Sequence, residues 1–133
     1  MTDDYVVDAS AMVLALVGRT NAADALRERL PTMRLHAPHL IDAEVGNVLR
    51  RHELGGLIST EEATTALDAG HWLVEHRSPH TGALVALAWT RRDNLSFYDA
   101  LYVALAARLG APLITSDARL TKAPVLGCEV ELV

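Results

Sequence analysis

The hydrophobic positions fall into short runs that alternate between strand-like and helix-like spacing. Tyr5, Val6 and Val7 form a β-favouring run closed by Asp8, and Ala9 to Val17 follows with helix-compatible residues before Gly18, predicting a strand and then a helix. Thr20 or Asn21 can cap a second helix through Leu30, which Pro31 ends because its nitrogen carries no hydrogen to donate. Arg34 to Ala37 reads as a short strand. Beyond Pro38 the spacing of Leu40, Ile41, Val45, Val48 and Leu49 is helical, with Gly55 and Gly56 as its stop. Ser59 and Glu62 form a capping-box pattern that opens a helix to about Gly70, and Leu73 to Glu75 is a brief strand or an irregular stretch. Pro79 marks a helix start that Ala83 to Trp89 continues toward Arg91. Ser96 and Asp99 repeat the box-like spacing ahead of Leu101, Tyr102, Leu105 and Leu109, with Gly110 as terminator. Pro112 to Thr115 reads as a buried strand ending near Asp117, and Glu129 to Val133 as a closing strand.

This alternation predicts an α/β fold built on a mainly parallel sheet, in one domain over residues 1–133. The length of 133 residues suits a single core, and no repeat, linker or low-complexity segment interrupts it. The longest apolar run, Ala11 to Val17, is far short of the roughly 18 residues that a membrane-spanning helix needs. The opening Met1-Thr2-Asp3-Asp4 is acidic where a secretory leader is basic, so the expected compartment is the cytoplasm. A single cysteine, Cys128, excludes an intrachain disulfide and a thiolate-rich metal centre.

Charge points away from bulk nucleic-acid attraction, because the net charge is −5. Four acids change that picture. Asp8 and Asp117 end two strands, where open parallel sheets collect their ligands. Glu44 shares a helical stripe with Leu40 and Val48, and Asp99 sits in the first turn of its own helix. Carboxylates crowded into one cleft raise each other's proton affinity unless cations join them. Oxygen-only ligands suit Mg²⁺ or Mn²⁺, and two such ions about 3.5–4 Å apart can activate water and stabilise a leaving oxygen at a phosphodiester. Taken singly, each acid has an ordinary role: Asp8 and Asp117 as helix N-caps, Asp99 in a capping box with Ser96, Glu44 at an amphipathic boundary.

The segments Val6-Val7-Asp8-Ala9-Ser10-Ala11, Ile41 to Leu49 around Glu44, Ser96-Phe97-Tyr98-Asp99-Ala100-Leu101-Tyr102 and Leu113-Ile114-Thr115-Ser116-Asp117 together resemble the PIN-domain ribonucleases, specifically the VapC toxins of VapBC toxin–antitoxin pairs. The resemblance implies a three-layer α/β/α sandwich and an endoribonuclease that uses Mg²⁺ or Mn²⁺ to cleave RNA. It also implies arrest of translation or growth, restraint by a cognate VapB antitoxin, and a homodimer. Carried over residue by residue, Asp8, Glu44, Asp99 and Asp117 match the acidic metal site, Ser10 the hydroxyl beside the first acid, and Thr115 or Ser116 the support of the last.

Other functions remain open on the sequence. A PIN nuclease of RNA processing without an antitoxin would carry the same acids. A Mg²⁺-binding phosphoacceptor would want a lysine at a late strand end, whereas Lys122 lies five residues beyond Asp117. A non-catalytic scaffold would have no reason to keep the acids together. His36, His39, His76 and His80 flank prolines without ligand spacing and read as surface or loop residues. Trp72 and Trp89 read as core or dimer packing, with base stacking as the alternative, and Arg50, Arg51, Arg91 and Arg92 as solvated helix ends that could reach phosphates. Asp42 is read as a first-turn acid facing away from Glu44, and Asp93 as a loop acid.

Overall fold

Successive residues of a strand point to opposite faces, so the complete burial of both Val6 and Val7 means that the sheet is covered on both sides. The computed structural model describes residues 3–123 and 127–133. Its elements run β1 (Asp4–Val7), α1 (Ala9–Val17), α2 (Asn21–Arg29), β2 (Arg34–Pro38), α3 (Leu40–Leu54), α4 (Thr60–Leu73), β3 (His76–Ser78), α5 (Ala83–Trp89), α6 (Phe97–Leu109), β4 (Leu113–Thr115) and β5 (Val130–Leu132). Short 3₁₀ turns lie at Leu30–Thr32 and Ala118–Lys122. The strands form one parallel sheet in the order β3-β2-β1-β4-β5. Helices α5 and α6 pack together, with α6 against β1, β2 and β4, while α1 gathers α2, α3 and α4. The predicted α/β/α layering is therefore the observed one.

Helix α6 explains how the middle is filled. Residues Ala100 to Ala106, Tyr102 included, are all buried, so this stretch presents no solvent stripe. Its start is fixed by Ser96, whose Oγ accepts the Asp99 N–H at 3.1 Å, and its end by Gly110 at φ 65°, the left-handed conformation that glycine adopts without a Cβ penalty. The full capping box forms at α4, where Ser59 Oγ accepts the Glu62 N–H and the Glu62 carboxylate accepts the Ser59 N–H.

Three expected element boundaries differ in the structure. Helix α4 runs three residues beyond Gly70 to Leu73, because that glycine is buried where a Cβ would stand 3.3 Å from Leu16 and lets the helix pass close to α1. Of the two readings of Leu73 to Glu75, the irregular one holds for Val74 and Glu75, while Leu73 ends α4 and the strand lies at His76–Ser78, paired with β2. Helix α5 starts at Ala83 behind Gly82 at φ 62°, not at Pro79, since a positive φ turns the chain out of helical register. His36 and His76 lie on strands, His76 exposed in keeping with the surface reading and His36 half-buried, and their rings stack at 4.7 Å across the β2–β3 register. Trp72 and Trp89 are 73% and 57% exposed, so neither belongs to the core of this chain.

Candidate active site

The chain order across the sheet reverses beside β1: β2 and β3 extend on one side, and β4 with β5 on the other. A crevice opens at such a switch point, past the carboxyl ends of the central strands. Register pairs Val7 with Ile114, so Asp8 follows β1 directly beside the end of β4 and the loop that carries Asp117. The two strand-end acids thus share one edge. Helices α3 and α6 bring Glu44 and Asp99 to the same place, and the four carboxylates line one cavity of about 390 Å³ together with Ser10, Asn47, Arg51, Tyr102 and Arg119.

Each acid has its own support. Asp8 is only 6% exposed and caps α1: its Oδ1 accepts the Ala11 N–H at 2.9 Å and the Ser10 hydroxyl at 2.6 Å. Ser10 Oγ in turn accepts the Ser116 N–H at 3.0 Å and lies 3.2 Å from Thr115 Oγ1, which accepts the Asp117 N–H at 3.0 Å. A continuous relay of hydroxyls therefore joins the first acid to the loop of the last. Glu44 accepts the Tyr102 hydroxyl at 2.6 Å. Asp117 caps the following 3₁₀ turn through the Arg119 N–H at 3.0 Å and holds the Arg119 guanidinium at 2.7–3.2 Å. The ordinary capping roles of Asp8 and Asp117 are real, and the same geometry turns both carboxylates toward the cavity.

Electrostatics separates three of these acids from the fourth. Burial pushes the Asp8 carboxyl above its usual range despite bonds from Ser10, Thr115 and Ala11, and the Asp99 charge adds to the rise. Burial raises Glu44 against the Tyr102 hydrogen bond, with Asp99 and Asp8 repelling its charge. Asp99 rises through burial and the nearby Asp117 charge. Asp117 is lowered, chiefly by its hydrogen bonds from the Arg119 side chain. Burial and the Glu44 carboxylate hold the Tyr102 phenol far above its ordinary value, which keeps the hydroxyl a donor.

The donor set fits a hard divalent cation. Four carboxylates face one cavity against two arginines, and three have raised proton affinity, first because burial penalises their charge and then because the neighbouring carboxylates repel it. Among the described residues no three His, Cys, Asp or Glu side chains close into a ligand shell unaided. The acids surround a space rather than a point, which suits an ion such as Mg²⁺ that keeps several waters.

All seven residues expected from the sequence lie at this edge: Asp8, Ser10, Glu44, Asp99, Thr115, Ser116 and Asp117. Sequence reasoning passed over Asn47, Tyr102 and Arg119 as site residues. Their spacing carried a signal: Asn47 and Arg51 continue the Glu44 stripe at three and seven residues, and Tyr102 follows Asp99 by three. Asp42 faces away as expected, in a two-pronged ion pair with Arg77 at 2.6 and 2.9 Å. Arg91 and Arg92 donate to the carbonyls of Leu87 and Trp89 at the end of α5.

Comparison with known proteins agrees with this fold. The PIN domain family matches residues 5–126. The chain is 51% identical to Ribonuclease VapC1 of Mycobacterium tuberculosis over 98% of each chain. In structure it is similar to VapBC2 from Rickettsia felis bound to a DNA fragment from their promoter, with a TM-score of 0.71, 14% identity and 98% of both chains covered. It is also similar to the sarcin–ricin-loop-cleaving toxin VapC20 of Mycobacterium tuberculosis, at TM-score 0.67 and 17% identity, over 89% of this chain and 93% of that one. Four carboxylates on a PIN scaffold, in a chain that shares half its residues with a VapC protein along nearly its whole length, make this chain a member of the PIN-domain family, on its VapC branch.

Proposed function

We propose that the chain is a Mg²⁺- or Mn²⁺-dependent endoribonuclease, the toxin of a type II toxin–antitoxin pair. The observation that carries the reading is the convergence of Asp8, Glu44, Asp99 and Asp117 from four separate elements on one cavity at the sheet's switch point. The VapC ribonuclease name of its 51% identical relative supports the choice of RNA.

Bound divalent ions would activate the attacking water and stabilise the leaving ribose oxygen, so that a new P–O bond forms as the old one breaks. Asp8, Glu44, Asp99 and Asp117 would hold those ions. The protein's own work is to keep these groups in position before substrate arrives. Ser10 and the α1 N-terminus hold Asp8, and Tyr102 holds Glu44 by a charge-assisted bond. Arg51 and Arg119 supply positive charge on the cavity wall for RNA phosphates, which the net charge of −5 does not supply in bulk. A cognate VapB-type antitoxin and a homodimer complete the proposal, and no helix among the described residues is long and apolar enough to cross a membrane.

The test is cleavage of a total cellular RNA pool by the purified protein with Mg²⁺ or Mn²⁺, read at single-nucleotide resolution. Discrete cuts that disappear with EDTA and with Asp99→Asn are expected. Cuts that survive both controls, or none at all, would refute the assignment.

A further inference from the structure

Arg119 stands at a junction. The carboxylate cavity adjoins a second groove of about 280 Å³ lined by Asn94, Leu95, Ser96, Leu120 and Ala123, and among the described residues Asp99 and Arg119 line both. A polymer that occupies the cavity and continues into this groove must pass the Arg119 guanidinium.

Its present partner does not need it. Asp117 has two other holds, since its own N–H donates to the Thr115 side-chain hydroxyl at 3.0 Å and its Oδ1 accepts the Arg119 backbone N–H at 3.0 Å. The side-chain pair lies on top of that frame with the arginine side chain 86% exposed, where ion pairs contribute little. Arg77 shows the opposite design. Its side chain is only 16% exposed, and it binds both Asp42 oxygens and the Val74 carbonyl at 2.8 Å, as a structural arginine does. Among the described residues, the side-chain hydrogen bonds of Arg119 all go to Asp117.

A guanidinium fork fits a phosphate as well as it fits a carboxylate. Two cations compete for one carboxylate, so occupation of Asp117 by a divalent ion weakens the hold on Arg119. Resting on the nuclease reading above, we propose that Arg119 is a phosphate-positioning residue, held on Asp117 in the metal-free protein and passed to the RNA backbone where the cavity meets the adjoining groove. The device would keep the acid screened when the site is empty and release an anchor when it is loaded.

Arg119→Gln separates the two halves of this statement. In the absence of RNA, Mn²⁺ titrated into the variant should bind about two- to fivefold more tightly than to the wild type, the scale of one exposed ion pair. The KM for an RNA spanning a mapped cut should rise about tenfold while kcat changes by less than about threefold, as for loss of one charged hydrogen bond made equally before and during reaction. Arg119→Lys should recover part of the KM. Arg51→Gln is the control, since it removes a positive charge from the same cavity wall without freeing a carboxylate. Unchanged Mn²⁺ affinity in Arg119→Gln, an equal gain in Arg51→Gln, or an unchanged KM would overturn the proposal. A wild-type protein that neither binds Mn²⁺ nor cleaves RNA would instead overturn the nuclease reading, so the two failures are distinct.

Discussion

The inner wall and the rim of the acidic cavity are built by different physics. On the inner wall, Asp8 is 6% exposed and Glu44 is half-buried, and each carboxylate accepts a 2.6 Å hydrogen bond from a hydroxyl that the core holds in place. At the rim, Asp117 is held by a local arginine that is mostly in solvent. Burial makes an uncompensated charge costly, so the wall uses oriented dipoles that do not compete with an incoming cation. The rim can use a mobile opposite charge because water screens the exchange. The comparison teaches that one acidic cavity can have a pre-organised half and an exchangeable half.

The largest expected effect breaks the inner wall. Asp8→Asn should lower RNA cleavage by about a hundredfold or more, the scale of losing a group that manages charge in the transition state, measured as kcat/KM. The fold should survive, because Asn can still accept the Ala11 N–H and cap α1. Retained cleavage would remove Asp8 from the site.

Tyr102→Phe tests the wall one step back. Glu44 loses its 2.6 Å donor while the ring stays buried, and cleavage should fall about 10- to 100-fold with weaker Mn²⁺ binding. A drop in stability with unchanged metal affinity would reduce Tyr102 to a packing residue.

Titration sharpens the contrast. Asp8, Glu44 and Asp99 have folded-state proton affinities above their ordinary values, so the folded protein binds protons more readily than the unfolded chain. Their contribution therefore favours folding increasingly as pH falls from neutral toward the ordinary carboxylate range. Asp117 acts oppositely: its contribution is present above the ordinary carboxylate value and is lost as pH falls through its lowered one. Without metal, Tm should thus rise as pH is lowered from neutral toward the ordinary carboxylate range, with a smaller slope in Asp8→Asn. Saturating Mn²⁺ at neutral pH should raise Tm as well, about 2.7 kcal/mol of stabilisation at one hundred times Kd, measured by calorimetry. A flat pH profile would mean that the inner-wall acids are better solvated than the geometry shows.

The smallest effect lies outside the comparison and calibrates it. Ser59→Ala removes one side of the α4 capping box and should cost about 1 kcal/mol in denaturant unfolding with cleavage unchanged.

Much of the fold was legible in particular stretches. Val6-Val7-Asp8, Leu40 to Leu49 and Ser96 to Leu109 combine a clear period with a cap or a stop, and each became the expected element. The segment around residues 70–83 was not legible. Gly70 continues a helix because Leu16 crosses it, and β3 forms at His76–Ser78 because β2 offers an open edge there. Neither partner is visible in the local sequence. The same divide runs through the site.

The sequence by itself determined the four acids, their strand-end and helical settings, and the alternation that makes a parallel sheet, since periodicity and capping act over a few residues. Only the tertiary structure decided that β4 lies beside β1, which brings Asp8 and Asp117 to one edge. It alone placed the Tyr102 hydroxyl on Glu44, 58 residues away, and Ser10 against Thr115, 105 residues away. The reason is physical: strand pairing and desolvation are settled by non-local contacts, and they fix which carboxylate is braced by the core and which is left to an exchangeable arginine.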